Sequence, residues 1–174
     1  MKKLPALLAG ALLALTFTAC DKDDDGDENI GTANQQDRNF APQASLSNYS
    51  EISMGRIAAA QATNAGVRSF GQMMVTDHST AQTQLATAAS NARVSISADT
   101  TAIVEAGAQL MTLSGRSFDS TYLAMQVAAH DATIMLLQTE VSAGISNPLK
   151  SYAAAQLPHV QEHRRMADSL LTHL

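Results

Sequence analysis

At 174 residues and a formal charge of −5, with 45% apolar residues, the chain is long enough for one buried core and has no basic excess to hold nucleic acid. A single cysteine excludes an internal disulfide, and with no Trp and 4% aromatic residues the core must be built from small and aliphatic side chains, a composition suited to closely packed helices. No phosphate-binding loop, nucleophile elbow or zinc-protease helix motif occurs, so the sequence points to no enzyme of those classes.

Residues 1–19 have the form of a leader: Lys2 and Lys3, then an apolar run from Leu4 to Phe17, then small residues before Cys20. The apolar run is too short to span a bilayer. Phe17-Thr18-Ala19-Cys20 resembles a bacterial lipoprotein signal, which implies cleavage before Cys20 and acylation of that cysteine. The expected localisation is the cell envelope (periplasm, outer membrane or cell surface), with the membrane as partner through lipidated Cys20. Residues 20–37, opening with Asp21-Lys22-Asp23-Asp24-Asp25-Gly26-Asp27-Glu28, read as a solvated acidic tether, and 38–174 as the folded domain. Nothing in the chain names a protein partner.

Within the domain, residues 40–63 read as a first helix, with Leu46, Tyr49, Ile52, Met54 and Ile57 as its apolar surface. Asn64-Ala65-Gly66 breaks it, and a second helix follows over 67–92. Residues 93–115 read as a long crossover. It has an extended piece at Val94-Ser95-Ile96, a helix start at Ser97 and Asp99, and its own helix over 101–114 ending at Gly115. Ser117 is the expected N-cap of a third long helix over 118–141, and Asn147-Pro148 opens the last, running to about residue 173. Pro158, inside that helix, removes one backbone hydrogen bond. Two short-looped helix pairs joined by a long connection predict an all-α, ferritin-like four-helix bundle whose crossover carries an extra helix.

Four chemically capable residues fall on the helical stripes. His130 shares a face with Leu123, Val127, Ile134, Leu137 and Val141; His78 with Met74, Val75, Ala81 and Leu85; His163 with Tyr152, Val160, Met166 and Leu170. Glu51 lies 14 residues before Ala65 and His78 lies 13 after it; His130 lies 16 before Ser146 and His163 lies 17 after it. At a rise of about 1.5 Å per residue, equal distances from a tight turn mean equal height in an antiparallel pair. Glu51, His78, His130 and His163 are therefore expected to converge in the core. Three imidazoles and a carboxylate suit one transition-metal ion: Zn, Fe, Mn or Cu. Met74, one turn before His78, favours copper within that set; Asp77, Glu140 and His159 are further candidates for supporting or alternative ligands. Without metal, the same residues make a polar core layer that fixes helix register. No acid stands three residues before any of these histidines, which argues against a di-iron centre.

Val67-Arg68-Ser69-Phe70, Met74-Val75-Thr76-Asp77-His78, Phe118-Asp119 with Tyr122-Leu123, His130, Leu157-Pro158 with His163, and Glu51 followed by Gly55 together resemble the domain-of-unknown-function 4142 family. That resemblance covers residues 37–174. It implies an exported bacterial protein with a ferritin-like helical fold, and it implies no established reaction.

Overall fold

A computed structural model describes residues 33–97 and 99–174. The expected leader, Cys20 and the acidic run lie outside the described residues. The helices are α1 (Gln35–Gln61), α2 (Ala65–Ala92), α3 (Thr101–Leu110), α4 (Gly115–Ala143) and α5 (Asn147–Thr172), and no strand occurs among the described residues. α1 pairs with α2 and α4 with α5; α3 lies on the crossover and rests on α1 and α4. The expected all-α bundle of two hairpins with a helix-bearing crossover is the fold observed.

Several helix ends differ from expectation, each for a local reason. α1 starts earlier, because Asn34 and Asp37 form a capping box: the Asn34 side chain accepts from Asp37 N at 2.9 Å and the Asp37 carboxylate from Asn34 N at 2.6 Å. Asp37, expected in the tether, is thus in the first turn of α1 and fully buried. α3 is shorter than expected. Its start is held by Asp99, which accepts from the amide and hydroxyl of Thr101 at 2.9 and 2.6 Å, while Ser97 plays no part there. Gly115 closes no helix. At φ +58°, a conformation that glycine adopts without strain, it turns the chain into α4, so the N-cap is Ser114 and not Ser117. Likewise Ser146, not Asn147, precedes α5, with Pro148 in its first turn.

The core face of α1 also departs from the apolar pattern. Tyr49 is 44% exposed, and Leu46 and Ile57 are half-buried. Ile52 and Met54 are buried as expected, but the rest of the buried face is made by Phe40, Ala41, Ala44, Asn48, Glu51, Gly55 and Ala58. Backbone proximity explains the choice. A methyl on Gly55 would come within 2.7 Å of the Gly71 carbonyl, and one on Gly71 within 2.8 Å of the Gly55 carbonyl. At that separation small side chains fit where large ones cannot.

Apolar packing falls into two clusters. One gathers Phe40, Leu85, Leu137, Leu149, Tyr152 and Val160 at the end holding the α4–α5 turn. The other gathers Met54, Phe70, Met74, Phe118, Tyr122 and Leu123 at the end holding the α1–α2 turn. In each long helix the residues between these clusters include buried polar ones: Asn48 and Glu51, His78, Gln126 and His130, and His163.

Two buried carboxylates tie the hairpins together. Asp119, near the start of α4, accepts from Thr63 N at 3.0 Å, Thr63 Oγ1 at 2.6 Å and Asn64 N at 2.9 Å, so it caps the turn of the other hairpin. Asp37, near the start of α1, does the same in reverse: it accepts from Ser146 N at 3.0 Å and Ile145 N at 3.3 Å. The Asn34 amide adds a bond to the Ala143 carbonyl at 2.9 Å. Burial works against the Asp37 charge, but the bonds from Asn34, Glu140, Ser146 and Ile145 outweigh it and hold its pKa below the usual carboxylate value. Its neighbour Glu140 is fully buried, and burial followed by the hydrogen bond it shares with Asp37 pushes its pKa up to about 7. Of the two carboxyls, Glu140 is therefore the one that holds its proton more readily. Gly144 leaves room for this arrangement, since a methyl there would meet Glu140 Oε1 at 2.5 Å.

A folded pKa above the ordinary 4.5 means that the folded state keeps a proton the unfolded chain releases. The Glu140 contribution is complete below pH 4.5 and is lost as pH rises through about 7. Glu140→Gln keeps a donor to Asp37 without the titration. Denaturant unfolding at several pH values is expected to show the variant losing on the order of 2 kcal/mol less stability than the parent between pH 5 and pH 8.

Candidate metal centre

His78 from α2, His130 from α4 and His163 from α5 meet between the two apolar clusters. Their ring centroids are 5.8 Å (His78–His130), 5.5 Å (His78–His163) and 5.6 Å (His130–His163) apart. All three are buried, at 3%, 1% and 5% exposure. One ring nitrogen from each lies within 4.8 Å of one from each of the others. The convergence expected from equal turn offsets is therefore present for the histidines.

The partners of each ring settle where its proton is. His78 Nδ1 lies 3.0 Å from Asn48 Oδ1, and the Asn48 amide nitrogen already donates to Tyr152 OH at 3.1 Å and Gln82 Oε1 at 3.2 Å, so His78 Nδ1 is the donor. His130 Nδ1 lies 2.9 Å from the Gln126 carbonyl, which only accepts. His163 Nε2 lies 3.0 Å from the Asp77 carboxylate, which also accepts. In every ring the opposite nitrogen then carries a lone pair. Those nitrogens, His78 Nε2, His130 Nε2 and His163 Nδ1, are buried and have no hydrogen-bond partner.

The electrostatics keep the rings neutral. Burial, and then the mutual repulsion of His78 with His130 and His163, depresses the His78 pKa to about 3. Burial depresses His130 to about 4 against the bond to the Gln126 carbonyl. For His163, burial outweighs the opposing pull of Asp77 and the shift is also downward. Three uncharged imidazoles, each with its N–H tied down and one buried lone pair free, form a donor set for a cation. This is the arrangement in which a supporting acceptor fixes the tautomer of a metal-binding histidine.

Glu51 stands beside this group. It is 2% exposed, and its Oε1 lies 3.7 Å from His130 Nδ1, on the side of the ring that bonds the Gln126 carbonyl. Burial raises its pKa to about 7 against a hydrogen bond from Gln126. Glu51 Oε2, Gln126 Oε1 and Tyr122 OH are all buried without a partner. Asp77, half-exposed, supports His163 from the surface of α2 rather than acting on its chain neighbour His78. Glu140 belongs to the Asp37 pair, ten residues along α4 from His130, about 15 Å of helix. Met74 is fully buried in the apolar cluster with Phe70 and Tyr122. His159 is exposed and lines a cleft between α2 and α5 that also reaches His78 and His163.

The supporting residues Asn48 and Gln126 were not among those the sequence singled out, although each carried a signal. Asn48 precedes Glu51 by three residues and Gln126 precedes His130 by four, which puts each on the face of a candidate ligand.

The profile of the domain of unknown function DUF4142 matches residues 25–170. The chain belongs to the DUF4142 family. No curated protein and no solved structure matches it. The DUF4142 description assigns no reaction.

The His130 lone pair gives a direct energetic test. Its Nδ1–H bonds a carbonyl of its own helix, so removing the ring orphans no other side chain. His130→Leu is expected to raise the stability of the metal-free protein at pH 8 by about 1 kcal/mol, because a buried unsatisfied acceptor is replaced by an apolar side chain. Urea unfolding measures it, and a loss of stability would contradict the reading of that nitrogen as unsatisfied.

Proposed function

We propose that this DUF4142 protein is an exported, lipid-anchored bundle that holds one transition-metal ion in its core, with His78, His130 and His163 as ligands and a role in metal handling or stress response in the envelope. The observation that carries this reading is the set of three buried imidazoles, with one ring nitrogen of each within 4.8 Å of the others and one buried nitrogen of each left without a partner. A purely structural polar layer would pair such acceptors with donors, since leaving each unsatisfied costs about 1–3 kcal/mol. A cation satisfies all three at once.

Neutral imidazoles favour Zn, Cu, Fe or Ni over the oxygen-loving Mg and Ca. Three protein ligands leave at least one position open, as in sites that bind water or a small exogenous ligand. Glu51, beside His130, supplies a carboxyl group to balance the charge of a bound ion. When bound, the ion would supply Lewis acidity or, for Cu or Fe, electron transfer. The chain's own part is to fix three tautomers and to keep the site largely dry. The lipid anchor rests on the lipoprotein-like run ending at Cys20, and the acidic segment after it fits a spacer between membrane and bundle.

Elemental analysis tests the proposal. The protein, purified without a histidine tag, is expected to carry close to one equivalent of a single transition metal per chain. A His78→Ala, His130→Ala double variant is expected to carry a tenth of that or less. Equal trace metal in both, with both folded, would leave a polar core layer whose role is to specify helix register.

A further inference from the structure

An ion that sits in a closed bundle needs a way in. We propose that the cleft between α2 and α5 is the route to the three-histidine core, and that His159 and Asp77 at its mouth form a transient capture pair for the incoming cation. This rests on the metal-binding reading above and adds a second, surface site to it.

The cleft has a volume of about 330 Å³, and two of the three core histidines, His78 and His163, line it. Each of those two rings keeps one buried nitrogen without a partner. At the mouth stand His159, exposed, and Asp77, whose side chain is 47% exposed. Both are ligand types for the metals that imidazole sites hold. His159 precedes His163 by four residues, so the two share a face of α5 about 6 Å apart along the helix axis. The cleft therefore brings exposed donors, His159 and Asp77, together with buried ones, His163 and His78. On its way the cleft passes a cross-helix bridge, Gln156 Nε2 to Gln84 Oε1 at 2.7 Å, which ties α5 to α2 at the surface.

Other surfaces serve an incoming cation less well. On the α1–α2 face the two backbones are in close contact at Gly55 and Gly71. The groove along α1, α3 and α4 is lined by Leu46, Ile103, Ala106 and Leu136, with no histidine or carboxylate. Two further clefts carry an arginine each, Arg165 and Arg56, and again no histidine or carboxylate. Cation repulsion and the lack of ligands disfavour both.

The step is ligand exchange, with no change of oxidation state. A hydrated ion gives up water for the His159 imidazole and the Asp77 carboxylate. The core nitrogens then replace those two ligands. Asp77 returns to its hydrogen bond with His163 Nε2, which holds that ring with Nδ1 free.

The test is the rate at which metal-free protein takes up Co²⁺, followed by stopped-flow visible absorbance, for the parent, His159→Gln and Thr80→Trp. Thr80 is exposed and lines the cleft, so an indole there narrows the entrance. Both variants are expected to load about tenfold more slowly than the parent, in line with the gain in on-rate that a ligand-lined cleft provides, and to reach the same final stoichiometry. A parental rate in His159→Gln overturns the capture pair whatever Thr80→Trp does. Loss of final loading in His159→Gln overturns it too, since His159 would then be a resident ligand. Normal loading at parental rate in both variants refutes the route and leaves the core site standing. No loading in the parent removes both.

Discussion

The position of the two hairpins along the bundle axis is the constraint on which the rest depends. Asp119 on α4 binds the turn between α1 and α2, and Asp37 on α1 binds the turn between α4 and α5. Each carboxylate takes up backbone N–H groups that would otherwise be left without partners at a helix terminus. The two contacts sit at opposite ends of the molecule, so together they fix the register of one hairpin against the other. A slip of one helical turn, about 5.4 Å, would break both and would carry His78 away from His130 and His163. The reciprocal approach of Gly55 and Gly71 sets the depth of the first hairpin in the same way.

That register is used to hold an arrangement that lowers the stability of the metal-free protein. Between the two apolar clusters lie a carboxyl with its pKa raised to about 7, three neutral imidazoles and a side-chain amide, several of whose atoms lack partners. Leucine at such positions would bury well and need nothing. Departures from core packing of this kind concentrate at sites of function, where local stability is given up for chemistry. One nitrogen of each ring is satisfied, by Asn48, the Gln126 carbonyl or Asp77, and the other is buried and free. A layer that served only to specify register would have no reason for such a division.

Much of this was legible in the sequence, because helical rise per residue is constant. Turn positions good to a residue or two place a side chain's height to within its own reach, which is why counting from Ala65 and Ser146 brought the histidines together. Features that depend on how helices rotate and cross were not legible. Asp77 follows Thr76 and precedes His78, yet its carboxylate serves His163 on another helix. Tyr49 fitted an apolar stripe but lies outside, because the Gly55–Gly71 contact turns a face of small and polar residues inward. Asp37 read as part of a charged tether, since its burial depends on a turn more than a hundred residues away. Glu140 offered ligand chemistry but is engaged with Asp37 at the far end of α4.

The proposed metal site stands or falls on which atoms would meet the ion. The measurement is an X-ray absorption spectrum of the metal-loaded protein at the metal edge. Three imidazole nitrogens at about 2.0–2.1 Å, with their outer-ring scattering and one further light atom, are the predicted result for zinc. A sulfur neighbour at about 2.3 Å, or a shell of oxygens alone, would contradict it: the first would bring a sulfur ligand into a site assigned to nitrogens, and the second would place the ion outside the histidine core altogether.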